Sequence, residues 1–321
     1  MGAITKWPGR DVVLSTGHLI HERRAAAGAD KPAAVMVHGL GGSSSNWTLL
    51  MSELSGEFDQ WAPDLPGFGD SPPSGDHTVQ AYVADVTAYL ERFDTPVHLL
   101  GNSMGGLISL LVASARPDLV RTLTLLSPAM PQYLLPWGAQ ATAVMAAPKL
   151  GEWILGRVND EPSQEQIERM APMMYGEPDN LDPDEFAFAV RERMRWVRQP
   201  HADDVLLGAL RSLVAQYLAP HRRSPWWAAR KVLCPTMVVV SERDALVGSW
   251  VARRWCRTMP GARVVKLERT GHVAMMEHPR AVAGLVRAFL RDVSNSRDDV
   301  STKRAVPAGM RRPVAPLRVE S

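Results

Sequence analysis

Cysteine is scarce in this chain: two residues among 321, Cys234 directly before Pro235 and Cys256 in a stretch with helical spacing. Two such thiols make no disulfide framework, and without a nearby ligand set they make no metal centre. Long apolar runs are also missing. None reaches the roughly 18–20 residues that span a bilayer, and Met1 to Pro8 has no apolar core of the kind a secretory signal carries. An excess of charge of one sign is nearly absent, with 36 Lys/Arg against 34 Asp/Glu and a net charge of +2. The segment 294–321 holds six of the basic and three of the acidic residues, so it carries +3 and the rest of the chain −1. No nucleic-acid-binding module accompanies that imbalance. These absences lead us to expect a soluble, cytoplasmic protein with no metal, no cofactor and no nucleic-acid partner. They set no oligomeric state.

The apolar and charged fractions, 45% and 22%, are those of an ordinary globular chain, long enough to bury a full core. The most specific local signal is Gly101-Asn102-Ser103-Met104-Gly105. It follows the apolar run Val97-His98-Leu99-Leu100 and opens into helical spacing. Glycines two positions either side of Ser103 remove the β-carbons that would collide in a sharp strand-to-helix turn. The serine can then be held in a strained backbone conformation with its hydroxyl presented. This is the G-x-S-x-G nucleophile elbow.

A serine hydroxyl needs a base, and the base needs an orienting carboxylate. In chains built around this elbow the acid and then the histidine follow the serine. Asp244 lies just past Thr236-Met237-Val238-Val239-Val240-Ser241, which reads as a buried parallel strand. Glu242, nearer the strand end, is the alternative acid. His272 follows a further strand, 262–267, and is the expected base; His278 precedes Pro279 and reads as a helix-start residue. The acyl oxyanion needs donors. The N–H of Met104, next to the nucleophile, is one. The N–H of Leu40, in His38-Gly39-Leu40-Gly41-Gly42 after the strand 33–37, is the other.

These stretches, with Asp64-Leu65-Pro66-Gly67-Phe68-Gly69-Asp70-Ser71, resemble the α/β-hydrolase superfamily over roughly residues 10–130 and 230–292. The resemblance implies a mostly parallel central sheet flanked by helices, with Ser103, Asp244 and His272 as catalytic triad and Leu40 and Met104 as oxyanion hole. Strands alternating with helical spacing lead to the same architecture independently. The expected core spans residues 1–130 and 227–293. Residues 131–226 break the rhythm, with proline-punctuated helical segments at 138–158, 163–175, 183–198 and 202–218. In this superfamily that position holds a helical cap. Residues 294–321 lack periodicity and are expected to be disordered.

The cap is rich in methionine and aromatic side chains, which suit an adaptable apolar pocket or simply the cap's own packing. Trp137, Met145, Met174 and Trp196 are its candidate substrate contacts. The leading expectation is a serine hydrolase that cleaves a carboxylic ester or related acyl bond of a small lipophilic molecule through an acyl-enzyme. Residues 134–155 are apolar enough to rest on a membrane surface but lack a clean basic polar face. The elbow Gly101–Gly106 is also similar to that of C–C bond hydrolases acting on aromatic ring-fission products. Two departures stand against that reading: Val273 follows His272 where a tryptophan is usual, and the 39–42 loop has no proline. A non-catalytic, ligand-binding member is the third possibility, although all three triad candidates are present. A serine rather than an aspartate at the elbow argues against haloalkane dehalogenases and epoxide hydrolases.

Overall fold

A computed structural model describes residues 7–26, 28, 30–159, 163–302 and 316–317. The chain begins with an antiparallel hairpin, β1 (Gly9–Val13) and β2 (Leu19–Ala25). Then β3 (Ala33–Val37), α1 (Thr48–Glu53), β4 (Asp59–Pro63), α2 (Val79–Leu90), β5 (Val97–Asn102), α3 (Ser103–Ala115) and β6 (Val120–Leu126) alternate strand with helix. The sheet resumes with β7 (Thr236–Ser241), α11 (Ala252–Thr258), β8 (Arg263–Leu267), α12 (Ala274–Glu277) and α13 (Pro279–Thr302), after the helices described below. Strand order is β1-β2-β4-β3-β5-β6-β7-β8, parallel from β4 onward. Pro316–Leu317 pair alongside β8 at the edge.

Alternation along the central strands splits the core into two layers. Val35, Val37, Leu99, Leu125, Val238 and Val240 face α2 and α3 on one side. Ala34, Met36, Leu100, Leu126, Met237 and Val239 face α1 and α13 on the other. Burial of each larger side chain stabilises by roughly 1.5–3 kcal/mol, so strands apolar on both faces are secured between two helical layers.

Among the described residues seven α-helices lie between β6 and β7: α4 (Trp137–Met145), α5 (Leu150–Asn159), α6 (Gln164–Glu168), α7 (Ala171–Met174), α8 (Pro183–Val197), α9 (Ala202–Tyr217) and α10 (Pro225–Ala229), the last leading back to the sheet. Two of the four expected helical segments are therefore broken. The stretch 138–158 divides at Pro148-Lys149, where Lys149 adopts φ +67°, because proline supplies no N–H to continue the ladder. The stretch 163–175 divides ahead of Pro172, which sits in the first turn of α7. Helix α8 starts cleanly: the Asp182 side chain accepts from the N–H groups of Asp184 and Glu185, a favourable N-cap.

The disorder expected from residue 294 is corrected in part. Helix α13 continues to Thr302, its apolar stripe (Val282, Val286, Phe289) carrying the amphipathic pattern along the sheet face. Residues 303–315 and 318–321 lie outside the described residues.

Candidate active site

Ser103 is the first residue of α3, directly after β5, and its φ is +53°. That left-handed conformation is costly for a residue with a β-carbon. It is sustained by close packing around the turn. A β-carbon at Gly105 would penetrate the carbonyl oxygens of Val37 and His38, and one at Gly101 would strike the backbone of Gly105. The Ser103 carbonyl accepts from Ala129 N (2.9 Å), which fixes the elbow against the segment after β6.

His272 Nδ1 lies 3.0 Å from Asp244 Oδ1 and 2.9 Å from Oδ2, and both side chains are almost fully buried. Asp244 Oδ1 also accepts from the N–H groups of Leu246 (2.8 Å) and Val247 (2.9 Å), so its own loop orients the carboxylate. Glu242, the alternative acid, is turned away. It pairs with Lys266 (2.9 Å) and accepts from Arg269 N, and the Lys266 contact holds its carboxyl below the usual range. His278 lies between α12 and α13, directly before Pro279 and beside Glu277.

The glycine loop after β3 is a tight turn. Gly42 N donates to Gly39 O (3.1 Å), and Gly41, at the third position, has φ +69°, as a type II turn requires. Leu40 occupies the second position, whose N–H takes no part in the turn's own bond. The Met104 N–H belongs to the first turn of α3, where helical N–H groups have no intrahelical acceptor. His38 is fully buried below. Its Nδ1 donates to Gly39 O (2.8 Å) and its Nε2 accepts from Leu65 N (2.9 Å), which specifies the neutral imidazole. Burial pushes its pKa down accordingly.

Ser103, His272 and the 39–42 loop line one cavity of about 210 Å³, together with Met174, Phe186, Arg193, Trp196 and Met276. Of the four candidate substrate contacts, the structure brings two to this cavity. Met174 lines it. Trp196 also lines it, stacked on Phe68 (5.4 Å between centroids) and donating from Nε1 to Gly67 O. The other two are corrected. Trp137 is 60% exposed at the start of α4, and Met145 packs against the core layer that includes Leu155 and Leu207. Neither lines the cavity. The rotational phase of α4, set by its packing on α5 and α9, turns both away.

Three residues without a role in the sequence reading matter here. Asn102 Nδ2 donates to Leu126 O (3.1 Å) and His272 O (3.0 Å). The buried Glu277 carboxylate accepts from Gly271 N (2.7 Å) at one oxygen and from Gly176 N and Glu177 N (2.9 Å each) at the other. Arg193, on α8, donates to Gly41 O (2.8 Å) across the cavity, and burial lowers its pKa to about 10, so it stays charged at neutral pH. The i,i+3 spacing of Arg193 and Trp196 was the only local hint of a shared helix face. The partner that ties Asn102 to the histidine loop lies 170 positions away, and Glu277 reaches Gly176 and Glu177 across 101 and 100.

Residues 34–285 match the model of the alpha/beta hydrolase family. The chain belongs to this family. Among its relatives, a pimeloyl-[acyl-carrier protein] methyl ester esterase of Neisseria meningitidis serogroup C is 27% identical over 278 residues, covering 85% of this chain and 98% of that protein. Lipase 1 of Psychrobacter immobilis is 26% identical over 260 residues, covering 79% and 75%. Among solved alpha/beta hydrolase structures, a bacterial membrane phospholipase A aligns with a TM-score of 0.73 at 22% identity over 90% of this chain and 87% of that one. A 2-hydroxy-6-oxo-6-phenylhexa-2,4-dienoate hydrolase from Rhodococcus aligns at 0.71 and 20% identity, over 88% and 100%. At these identities the two structures establish the fold. Among the described residues of this alpha/beta hydrolase, no cluster of side chains could hold a metal ion, and no helix is long and apolar enough to cross a membrane.

Proposed function

We propose that this chain is a serine hydrolase that cleaves a carboxylic ester of a lipophilic small molecule through an acyl-enzyme. The observation that carries the reading is His272, hydrogen-bonded to the buried Asp244, lining the same cavity as an elbow serine with φ +53°. Asp244, orienting Nδ1, leaves Nε2 as the proton acceptor for Ser103 Oγ. As the proton leaves, Oγ attacks the ester carbonyl, and the imidazolium is stabilised by the buried carboxylate. The oxyanion takes hydrogen bonds from the N–H groups of Leu40 and Met104, worth about 3 kcal/mol for a single donor. His272 returns the proton to the leaving alkoxide, which departs as the alcohol. Water, deprotonated by His272, then attacks the acyl-enzyme and regenerates Ser103. An ester-cleaving name on the relative from Neisseria and a lipase among the others support the bond.

In this reading residues 131–226 act as a cap. Met174, Phe186, Trp196 and Met276 supply an apolar wall for the acyl or alcohol part. The reading places the enzyme in the cytoplasm, working without a cofactor.

One observation favours a second reading, C–C bond hydrolysis of a ring-fission product. Arg193 sets a cation on the cavity wall, which suits a substrate bearing a carboxylate.

Labelling with a fluorophosphonate tests the nucleophile: the native chain should react and Ser103→Ala should not. Equal labelling of both removes Ser103 from the mechanism. A panel of p-nitrophenyl esters of graded length, run beside a vinylogous 1,5-diketone acid, decides the bond. Turnover of the diketone alone would sink the ester proposal.

A further inference from the structure

A second cleft, of about 410 Å³, opens on the far side of the loop that carries Asp244. The two cavities share no lining residue, but Gln132 connects them. It lines the second cleft, donates from Nε2 to Leu246 O (2.9 Å) and accepts from Gly248 N (3.0 Å).

The lining of this cleft combines guanidinium groups with aromatic rings and contains no carboxylate. Arg254 lies 4.3 Å from the ring centroid of Trp226 and 5.0 Å from that of Tyr133. Arg230 lies 5.7 Å from the ring of Trp227, whose other neighbour is His221 at 5.3 Å. Stacked in this way, a guanidinium covers its face and leaves its N–H edge available. Arg254 spends one donor on Pro131 O (3.3 Å).

The surroundings deepen the positive potential. Arg222, Arg223, Arg230, Lys231, Arg253, Arg254 and Arg257 make no ion pair among the described residues, whereas Arg10, Arg24, Arg92, Arg116 and Arg287 elsewhere on the surface are each paired with a carboxylate. Burial, against the opposing effect of Tyr133 and with a smaller contribution from Arg257, depresses the Arg254 pKa. Tyr133 at the rim is 91% exposed, a large ring left uncovered.

We propose that this cleft is a second binding site, for an organic anion that carries an aromatic ring. The anionic group accepts from the N–H edges of Arg230 and Arg254. The ring lies among Tyr133, Tyr217 and Trp227. A cleft of this volume is within the range of small-ligand sites, and its assignment does not rest on the ester reading.

Calorimetric titration of the full chain with naphthalene-2-sulfonate tests it, beside sodium sulfate (charge alone) and 2-naphthol (ring alone). The expected result is saturable binding of the sulfonate, with each control about tenfold weaker. Arg230→Glu and Arg254→Gln should each raise Kd about tenfold, while Arg193→Gln and Ser103→Ala in the first cavity leave it unchanged. Arg230 is exposed and its side chain makes no hydrogen bond among the described residues, its backbone N–H donating to Ala228 O, so its variant should keep the native melting temperature and report on binding alone. Absence of saturable binding overturns the proposal, as does an unchanged Kd in Arg230→Glu. So does a Kd that responds to Arg193→Gln instead, or 2-naphthol binding as tightly as the sulfonate.

Discussion

The side-chain amide of Asn102 is hydrogen-bonded to the main-chain carbonyl of His272, 170 positions further along the chain. Because Asn102 immediately precedes Ser103, one amide group ties the histidine loop to the strand end that carries the serine. Its second donor bond, to Leu126 O, anchors both to β6. Replacing Asn102 with Asp keeps the shape and turns two donors into acceptors facing carbonyls. The variant should lose about 2 kcal/mol or more of stability and at least an order of magnitude in kcat. Chemical denaturation and ester turnover check this; native values for both would show that the amide positions nothing.

Glu277 plays a comparable part between the inserted helices and the histidine loop, accepting three backbone N–H groups. Hydrogen bonds to a charged acceptor contribute about 1.5–3 kcal/mol each. Glu277→Gln offers one oxygen and must set an NH₂ against at least one N–H. We expect a lower melting temperature and faster amide exchange at both 176–177 and 271–272. Faster exchange at only one of the two segments would contradict the bridging role.

Two glycine substitutions should act in opposite directions. A β-carbon at Gly105 would overlap the Val37 and His38 carbonyl oxygens, which are backbone atoms unable to yield. Gly105→Ala should therefore disrupt the elbow and leave little soluble, active protein. Gly284, exposed on α13, has nothing within 4 Å of its would-be β-carbon. Gly284→Ala should stabilise by about 0.5–1 kcal/mol through helix propensity. Thermal melts compare them directly, and a destabilised Gly284→Ala would refute the helical packing given for that face.

The pH dependence of stability should carry a signature of His38. Burial depresses its folded-state pKa below the ordinary value of 6.5. The unfolded chain thus takes up a proton as pH falls through 6.5 while the folded chain does not. Stability is fully present above that value and declines below it, by at most about 1.4 kcal/mol per pH unit for one group. Denaturation at pH 7.5 and 5.5 should show a larger loss for the native chain than for His38→Asn. Equal losses would mean that His38 titrates alike in both states.

The elbow and its partners were legible in the sequence because each is a local pattern. Ser103 needs glycines two residues away, and Asp244 and His272 each sit just past a β-branched run that reads as a strand. The runs at 33–37, 97–100, 236–241 and 262–267 match β3, β5, β7 and β8 to within a residue or two. Trp137 and Met145 show where such reading ends. Composition marked them as plausible pocket residues, but the phase of α4 follows from neighbours that its own sequence does not name. The division of 138–158 at Pro148 rests on a single proline, which helical composition on both sides masks in the sequence.

The chain's own order of residues determined the chemistry available: a strained serine, an imidazole and a carboxylate, each placed by its immediate neighbours. Only the tertiary structure decided which groups hold them together. Asn102, Glu277 and Arg193 act on partners roughly 100 to 170 positions away. Hydrogen bonds of that reach depend on how layers pack, and no short stretch of sequence encodes the distance between two layers.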